Sequence, residues 1–310
     1  MKNLFVRAAS GLVFAVIMIG GILWHPLSFL AIMSLVLIGS LNEYYNITSE
    51  RREPSASRFS GKWFLVFSFF LVYGLSFLLS SEPVRAMPDI SNPLKALFQV
   101  IMMQRDSALA LNVLVPILIF KMFAWELFSK RERPFENLGW NVIAVVYILV
   151  PLVLTNKIFF EKGPVFLVAV FGLVWFYDSA CYSFGSLLGR HKLLERISPK
   201  KTIEGLVGGA ITTVMVSWFL PRVPGLEILT KVQWVILTLV IITAATFGDL
   251  VESLLKRSLN IKDSGSIMPG HGGFLDRFDA YFFTVPFMAF TLWAFTQANN
   301  LMLLLEYVNK

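Results

Sequence analysis

Nine stretches of this chain are apolar enough to cross a lipid bilayer, and no other feature limits its fold so severely. Spanning roughly 30 Å of hydrocarbon takes about 17–25 mostly apolar residues in a helix, because every backbone N–H and C=O must be satisfied within the segment. The runs fall at 8–24, 27–45, 63–80, 109–128, 141–155, 164–187, 206–221, 233–254 and 280–305. The expected fold is therefore all-α, a polytopic integral membrane protein with about nine transmembrane helices. Composition agrees, with 56% hydrophobic and 15% charged residues, where a soluble chain carries about 25% charged. The fifth run is short and holds Pro151, so its ends are expected to move. Pro116 and Pro286 also lie inside runs, which membrane helices tolerate. The first run follows Lys2 and Arg7 like a signal peptide. It lacks a small-x-small cleavage site and leads into a second apolar run, so it reads as a retained helix.

Lysine and arginine set the orientation. With the N-terminus inside, segments 1–7, 46–62, 129–140, 188–205 and 255–279 hold 18 of them, and segments 81–108, 156–163, 222–232 and Lys310 hold 8. Cytoplasmic loops are the richer in positive charge, which places the N-terminus in the cytoplasm and the C-terminus outside. The net charge of +7 is thus a topology signal that also suits anionic membrane lipids, and it does not argue for nucleic acid. Cys181 is the only cysteine, so no intrachain disulfide can form. The chain is read as N-terminal helices over 1–135 and a catalytic region over 136–310. External loop 81–108 is expected to carry a short interfacial helix near 94–103.

Charged residues inside spans are costly and therefore informative. Glu43, Lys121 and Glu126 lie near cytoplasmic ends, where snorkelling to the interface accounts for them. Asp178 lies about ten residues deep in the sixth run. It must face protein, water or a cation, with Lys121 as the simplest structural partner. On the eighth run Asp249, Ser253 and Lys256 share one face, Glu252 lies between them, and Gly248 permits close approach. Residues 256–279 then hold four cations, three carboxylates, one histidine and four glycines in 24 positions. A plain connector needs far less. Asp276, Arg277 and Asp279 stand just before the ninth run, at a helix start that favours phosphate. Carboxylates with one histidine and no thiolate favour Mg²⁺ or Mn²⁺. Loop 188–205 adds Arg190, Lys192, Arg196, Lys200 and Lys201 on the same side. A transporter would also bury carboxylates, but no repeated halves or paired broken helices are visible.

The residues Ser253, Leu255, Lys256, Arg257, Lys262, Asp263, Gly265, Met268, Pro269, His271, Gly272, Gly273, Phe274, Asp276, Arg277, Phe278 and Asp279 resemble the signature of the phosphatidate cytidylyltransferases, also called CDP-diglyceride synthetases. Met268 stands where Leu, Ile or Phe is usual. Upstream, Asp178, Ala180, Tyr182, Gly185, Gly189, the run Ser198-Pro199-Lys200-Lys201-Thr202 and Glu204-Gly205 are similar too. The likeness covers roughly 175–280, and the N-terminal half shares only its hydrophobicity. It implies a reaction of CTP with phosphatidate to give CDP-diacylglycerol and pyrophosphate, at the cytoplasmic face of the cell (inner) membrane. It also implies Mg²⁺ held by Asp249 and Asp276, with Mn²⁺ an alternative and a further monovalent cation left open, and an enzyme often dimeric. Lys256, Lys262, His271 and Asp279 are then expected to join those two carboxylates in catalysis. Substrate contacts are expected from Asp178, Lys200, Lys201, Thr202, Ser253, Arg257, Asp263, Gly272, Gly273 and Arg277. A polyprenol kinase, another CTP-using lipid enzyme, is the nearer rival.

Overall fold

The computed structural model describes residues 2–49, 59–80, 110–129, 132–265 and 272–308. In chain order its helices are α1 (Lys2–Trp24), α2 (Pro26–Ile47), α3 (Phe59–Ser80), α4 (Val115–Phe128), α5 (Pro134–Lys162), α6 (Pro164–Leu188), α7 (Ile203–Ser217), α8 (Lys231–Ser258) and α9 (Leu275–Val308). Seven helices among the described residues are long and apolar enough to cross a membrane, and α1 and α3 contribute shorter apolar stretches, Ser10–Trp24 and Leu65–Ser80. The chain is an all-α polytopic membrane protein. Each apolar run of the sequence falls on one of these helices. External loop 81–108 and its expected helix lie outside the described residues.

Two of the prolines shape the helices that contain them. A π-helical turn, Ala110–Leu114, leads into α4 just before Pro116, and a second, Val145–Leu149, interrupts α5 just before Pro151. A proline lacks the N–H that would bond the carbonyl four residues back, and its ring crowds that carbonyl. Widening the preceding turn relieves both problems, as Val150 N–H bonding to Val145 O illustrates. The fifth helix runs from Pro134 to Lys162, beyond the 141–155 read from hydropathy, because polar residues at both ends, such as Asn156 and Lys157, stay helical. Gly163, at φ 87°, then makes the turn into α6.

Contacts divide the chain into two compact units, Met1–Glu161 with Ser264–Leu275, and Lys162–Asp263 with Asp276–Lys310. In the first, Phe29 of α2 stacks on Phe159 of α5 at 4.0 Å between ring centres. Tyr44 donates to the Trp140 carbonyl at 2.9 Å, and Asn156 donates to Ser76 at 2.7 Å, which ties α3 to α5. Lys121 donates to Ser68 at 2.7 Å. Glu43 and Glu126 are buried, at 3% and 7% exposure, so neither reaches the interface as snorkelling requires.

In the second unit, Phe171 of α6 stacks on Tyr281 of α9 at 4.1 Å, and Tyr177 shares a 2.7 Å hydrogen bond with Thr246 of α8. Helices α6 and α7 meet through small residues, the usual means of close approach between membrane helices. A Cβ on Gly205 would stand 2.7 Å from the Cys181 carbonyl oxygen and 3.0 Å from Gly185 Cα. Within loop 188–205, β1 (Lys192–Leu194) and β2 (Ser198–Thr202) pair antiparallel, Lys192 with Thr202 and Leu194 with Ser198.

Backbone cannot yield to a methyl group as a flexible side chain can. Gly205→Ala is expected to destabilise the detergent-solubilised protein by about 1–3 kcal/mol, the range for overpacking. Gly172→Ala, where a Cβ meets nothing within 4 Å, should be neutral or mildly stabilising through helix propensity. Thermal unfolding of both variants measures the contrast, and equal stabilities would show that α6 and α7 do not pack this closely.

Candidate active site

Four chain segments of the second unit converge on one cavity of about 340 Å³. Helix α6 contributes Tyr177, Asp178, Cys181, Tyr182 and Gly185, the β2 strand Lys200, Lys201 and Thr202, and α8 with α9 the carboxylates Asp249, Asp276 and Asp279. Local structure explains how each is held. Thr202 caps α7 by accepting from Gly205 N–H at 3.2 Å. Cβ atoms on Gly185 and Gly189 would stand 3.0 and 2.8 Å from its hydroxyl oxygen, so only glycine leaves room for it. The threonine fixes the end of β2 and with it Lys200 and Lys201. Glu204 braces the preceding turn, accepting backbone N–H bonds from Arg190 and His191 at 3.0 and 3.2 Å and meeting His191 Nδ1 at 2.6 Å.

The α8–α9 wall rests on another glycine. A Cβ on Gly248 would lie 2.8 Å from the Asp279 carbonyl oxygen and 3.0 Å from Ala280 Cα. Without one, α9 comes close enough for carboxylates of both helices to meet. Asp249, Glu252 and Asp279 each place an oxygen within 4.8 Å of the others. Glu252 and Asp279 are buried, and such a group of anions needs cations. Lys201 pairs with Asp249. Lys256, one turn after Glu252, pairs with it and also donates to Asp276 Oδ1 at 2.7 Å. Hard oxygen donors this close fit Mg²⁺ or Mn²⁺, so Asp249, Glu252 and Asp279 can hold a divalent ion; Asp276, expected to share it with Asp249, is not one of these three and meets Lys256.

Of the residues singled out in the sequence, Asp178, Lys200, Lys201, Thr202, Asp249, Asp276 and Asp279 share the cavity lining. Lys256 lies just behind it, on Asp276. Arg257 bonds the Ile261 carbonyl at 3.2 Å, and Lys262, Asp263 and Arg277 are exposed. Ser253, on α8, is not among the lining residues. Gly272 takes φ 81°, a conformation that suits glycine, and Gly273 packs on Glu43 of α2. His271 lies outside the described residues. Asp276 and Asp279 stand at the start of α9, which opens at Leu275, ahead of the apolar run that begins at residue 280. Sequence reading left Glu252 without a role, although its spacing to Lys256 is that of a helical ion pair. It also missed the lining residues Tyr177, Cys181 and Leu206, which carry no pattern of their own.

The sequence matches the cytidylyltransferase family over residues 5–295. A protein of Staphylococcus saprophyticus named phosphatidate cytidylyltransferase is 33% identical over 233 residues, 72% of this chain and 87% of that one. Proteins of the same name are 33% identical in Bacillus subtilis over 180 residues (57% of this chain, 66% of the relative) and 36% identical in Staphylococcus epidermidis over 174 (54% and 64%).

Lys256 is the group on which two carboxylates depend. Lys256→Met should destabilise the protein by about 3–5 kcal/mol, the cost of stranding a buried charge. The double change Lys256→Met with Glu252→Gln should recover part of that loss, because the neutral amide no longer needs the ammonium. Denaturation of the single and double variants in detergent gives the comparison, and a double variant weaker than the single would contradict the pairing.

Proposed function

The chain belongs to the cytidylyltransferase family, and from that membership we infer that it is a phosphatidate cytidylyltransferase, converting CTP and phosphatidate to CDP-diacylglycerol and pyrophosphate. The observation that carries this reading is a single cavity that gathers the carboxylates Asp249, Asp276 and Asp279 with Lys200 and Lys201. In the reaction a phosphate oxygen of phosphatidate bonds to the α-phosphorus of CTP. The bond from that phosphorus to the pyrophosphate oxygen breaks, and pyrophosphate leaves with the electron pair. Two polyanions have to meet, so charge neutralisation and positioning are the main needs of catalysis. The attacking phosphate is already largely ionised at neutral pH, and no strong base is required.

Each residue then has a task. Lys200 and Lys201 reach the phosphates from the β2 strand. Lys256 neutralises Asp276 and Glu252, and Lys262, Arg257 and Arg277 add donors from exposed positions at the ends of α8 and α9. Asp249 and Asp276 would hold Mg²⁺, with Asp279 and Glu252 beside them, and the ion when bound supplies charge neutralisation for the transferring phosphoryl group. Asp178 adds a further carboxylate to the cavity lining. The excess of Lys and Arg on segments 188–205 and 255–279 supports a site opening to the cytoplasm, where soluble CTP and a lipid-anchored phosphate can both arrive.

The direct test supplies purified protein with labelled CTP and either phosphatidate or a polyprenol. Label transferred to the polyprenol alone would favour a lipid kinase. Asp249→Asn and Asp276→Asn should each lower turnover by roughly 10²–10³-fold, the effect of losing one preorganised charge-stabilising group, while the protein stays folded. Near-wild-type turnover of either variant at saturating Mg²⁺ would remove that residue from the metal site.

Lys262→Gln separates phosphate binding from metal binding. A lysine ammonium offers no lone pair to a cation, so its loss should cost about 1.5–3 kcal/mol in kcat/KM for CTP or phosphatidate, without changing the Mg²⁺ requirement. A shift in that requirement alone would assign the lysine to the metal site. Orientation is tested with single cysteines in 188–205 and 255–279, in a Cys181→Ser background, which should resist an impermeant thiol reagent in intact cells.

A further inference from the structure

We propose that Glu43 of α2, more than 200 residues before the signature in sequence, is a positioning residue that anchors the signature segment for cytidylyl transfer; this rests on the functional reading above. Its carboxylate grips that segment at both ends. Oε2 accepts from the Ser264 hydroxyl at 3.0 Å and from Leu275 N–H at 2.9 Å, and Oε1 accepts from Phe274 N–H at 2.9 Å. The contacted residues stand on either side of positions 266–271. Leu275 opens α9, and Phe274 and Leu275 offer the first donors of that helix. The anion held at this helix start is therefore Glu43, which takes the place expected above for a substrate phosphate.

The surroundings are shaped to fit. A Cβ on Gly265 would stand 2.6 Å from Glu43 Oε1, and one on Gly273 would run into Oε2. One turn before Glu43, Gly39 makes room for the Phe274 ring, into which a Cβ there would run. Gly39 and Glu43, at i and i+4, thus form one face that receives the ring and the backbone of the same residue. Three of the signature positions, Gly265, Gly273 and Phe274, owe their identity to this contact. Asp276, a wall of the cavity, follows Leu275 directly in the chain. A carboxylate at 3% exposure that serves three donors in an apolar setting carries strong, charge-assisted hydrogen bonds.

The experiment compares full-length wild type with Glu43→Gln, Ser264→Ala and the double variant. It measures steady-state kinetics with CTP and phosphatidate, thermal unfolding, and the rate of tryptic cleavage at Lys262 and Arg277. Glu43→Gln should lower kcat by at least about tenfold and speed cleavage at those sites, with bulk unfolding little changed. Ser264→Ala should do the same to a smaller degree, and the double variant should be no worse than Glu43→Gln, since both remove one shared bond. If Glu43→Gln does not fold, Ser264→Ala carries the test alone. Unchanged kinetics with unchanged cleavage would overturn the proposal, as would activity that falls only in step with the folded fraction. A wild-type protein inactive on CTP and phosphatidate would defeat the functional reading instead, and the cleavage comparison would still decide this one.

Discussion

Lys256 stands between Glu252, one turn earlier on α8, and Asp276, in the first turn of α9, and the acidic cluster depends on that pairing. A carboxylate among apolar helices costs several kcal/mol unless a cation or hydrogen-bond donors face it. Here Glu252 is fully buried and Asp279 nearly so, with the exchange of charge concentrated on two ammonium groups, Lys256 and Lys201. Removing side-chain volume at Gly248 brings α8 and α9 near enough for carboxylates to gather. Bringing them near also makes the cations obligatory. Geometry and electrostatics therefore constrain each other, and the glycine, the acids and the lysines form a single design.

The same arrangement suits the proposed chemistry. A site for two polyanions must be strongly positive when they bind, yet must not collapse on itself when they are absent. Lysines already paired with carboxylates meet both demands. Lys201 is part of the β2 strand, held by Thr202 and three glycines, and its partner Asp249 is on α8. A phosphate or a divalent ion arriving at the cavity exchanges one partner for another, and no charge need be moved into apolar surroundings for the first time. Preorganisation of this kind is what makes fixed charges effective in catalysis.

Much of this was legible in the sequence, and the reasons differ by feature. Apolar runs of membrane length located each helix, because hydrocarbon thickness leaves little freedom. The spacing of Asp249 and Lys256 placed them on one helical face, and the charge cluster after residue 255 contains two carboxylates of the cavity, Asp276 and Asp279. Hydropathy could not see the π-helical turns before Pro116 and Pro151, which are backbone responses to a missing donor. It ended the fifth span at Thr155, before the polar Asn156 and Lys157 that continue the helix. It also could not assign Glu43. A lone glutamate near the end of an apolar run reads as an interfacial group, and its partners lie 221 to 232 residues away.

Glu43 changes how the signature itself should be understood. A motif with this many required positions invites the view that every residue meets substrate, but its residues divide by what they touch. Asp276 and Asp279 line the cavity, and Lys256 neutralises the first of them. Ser264, Gly265, Gly273, Phe274 and Leu275 meet α2 instead, through one carboxylate and one glycine notch. Gly273 was expected to meet substrate, yet at Gly265 and Gly273 the anion close by is a side chain of the protein. Strictness in that part of the motif follows from packing against a buried charge, where a single methyl group would displace a hydrogen-bonded oxygen. Residues before α2's end and residues after α8's end thus have to be selected together, although only the latter look like a motif.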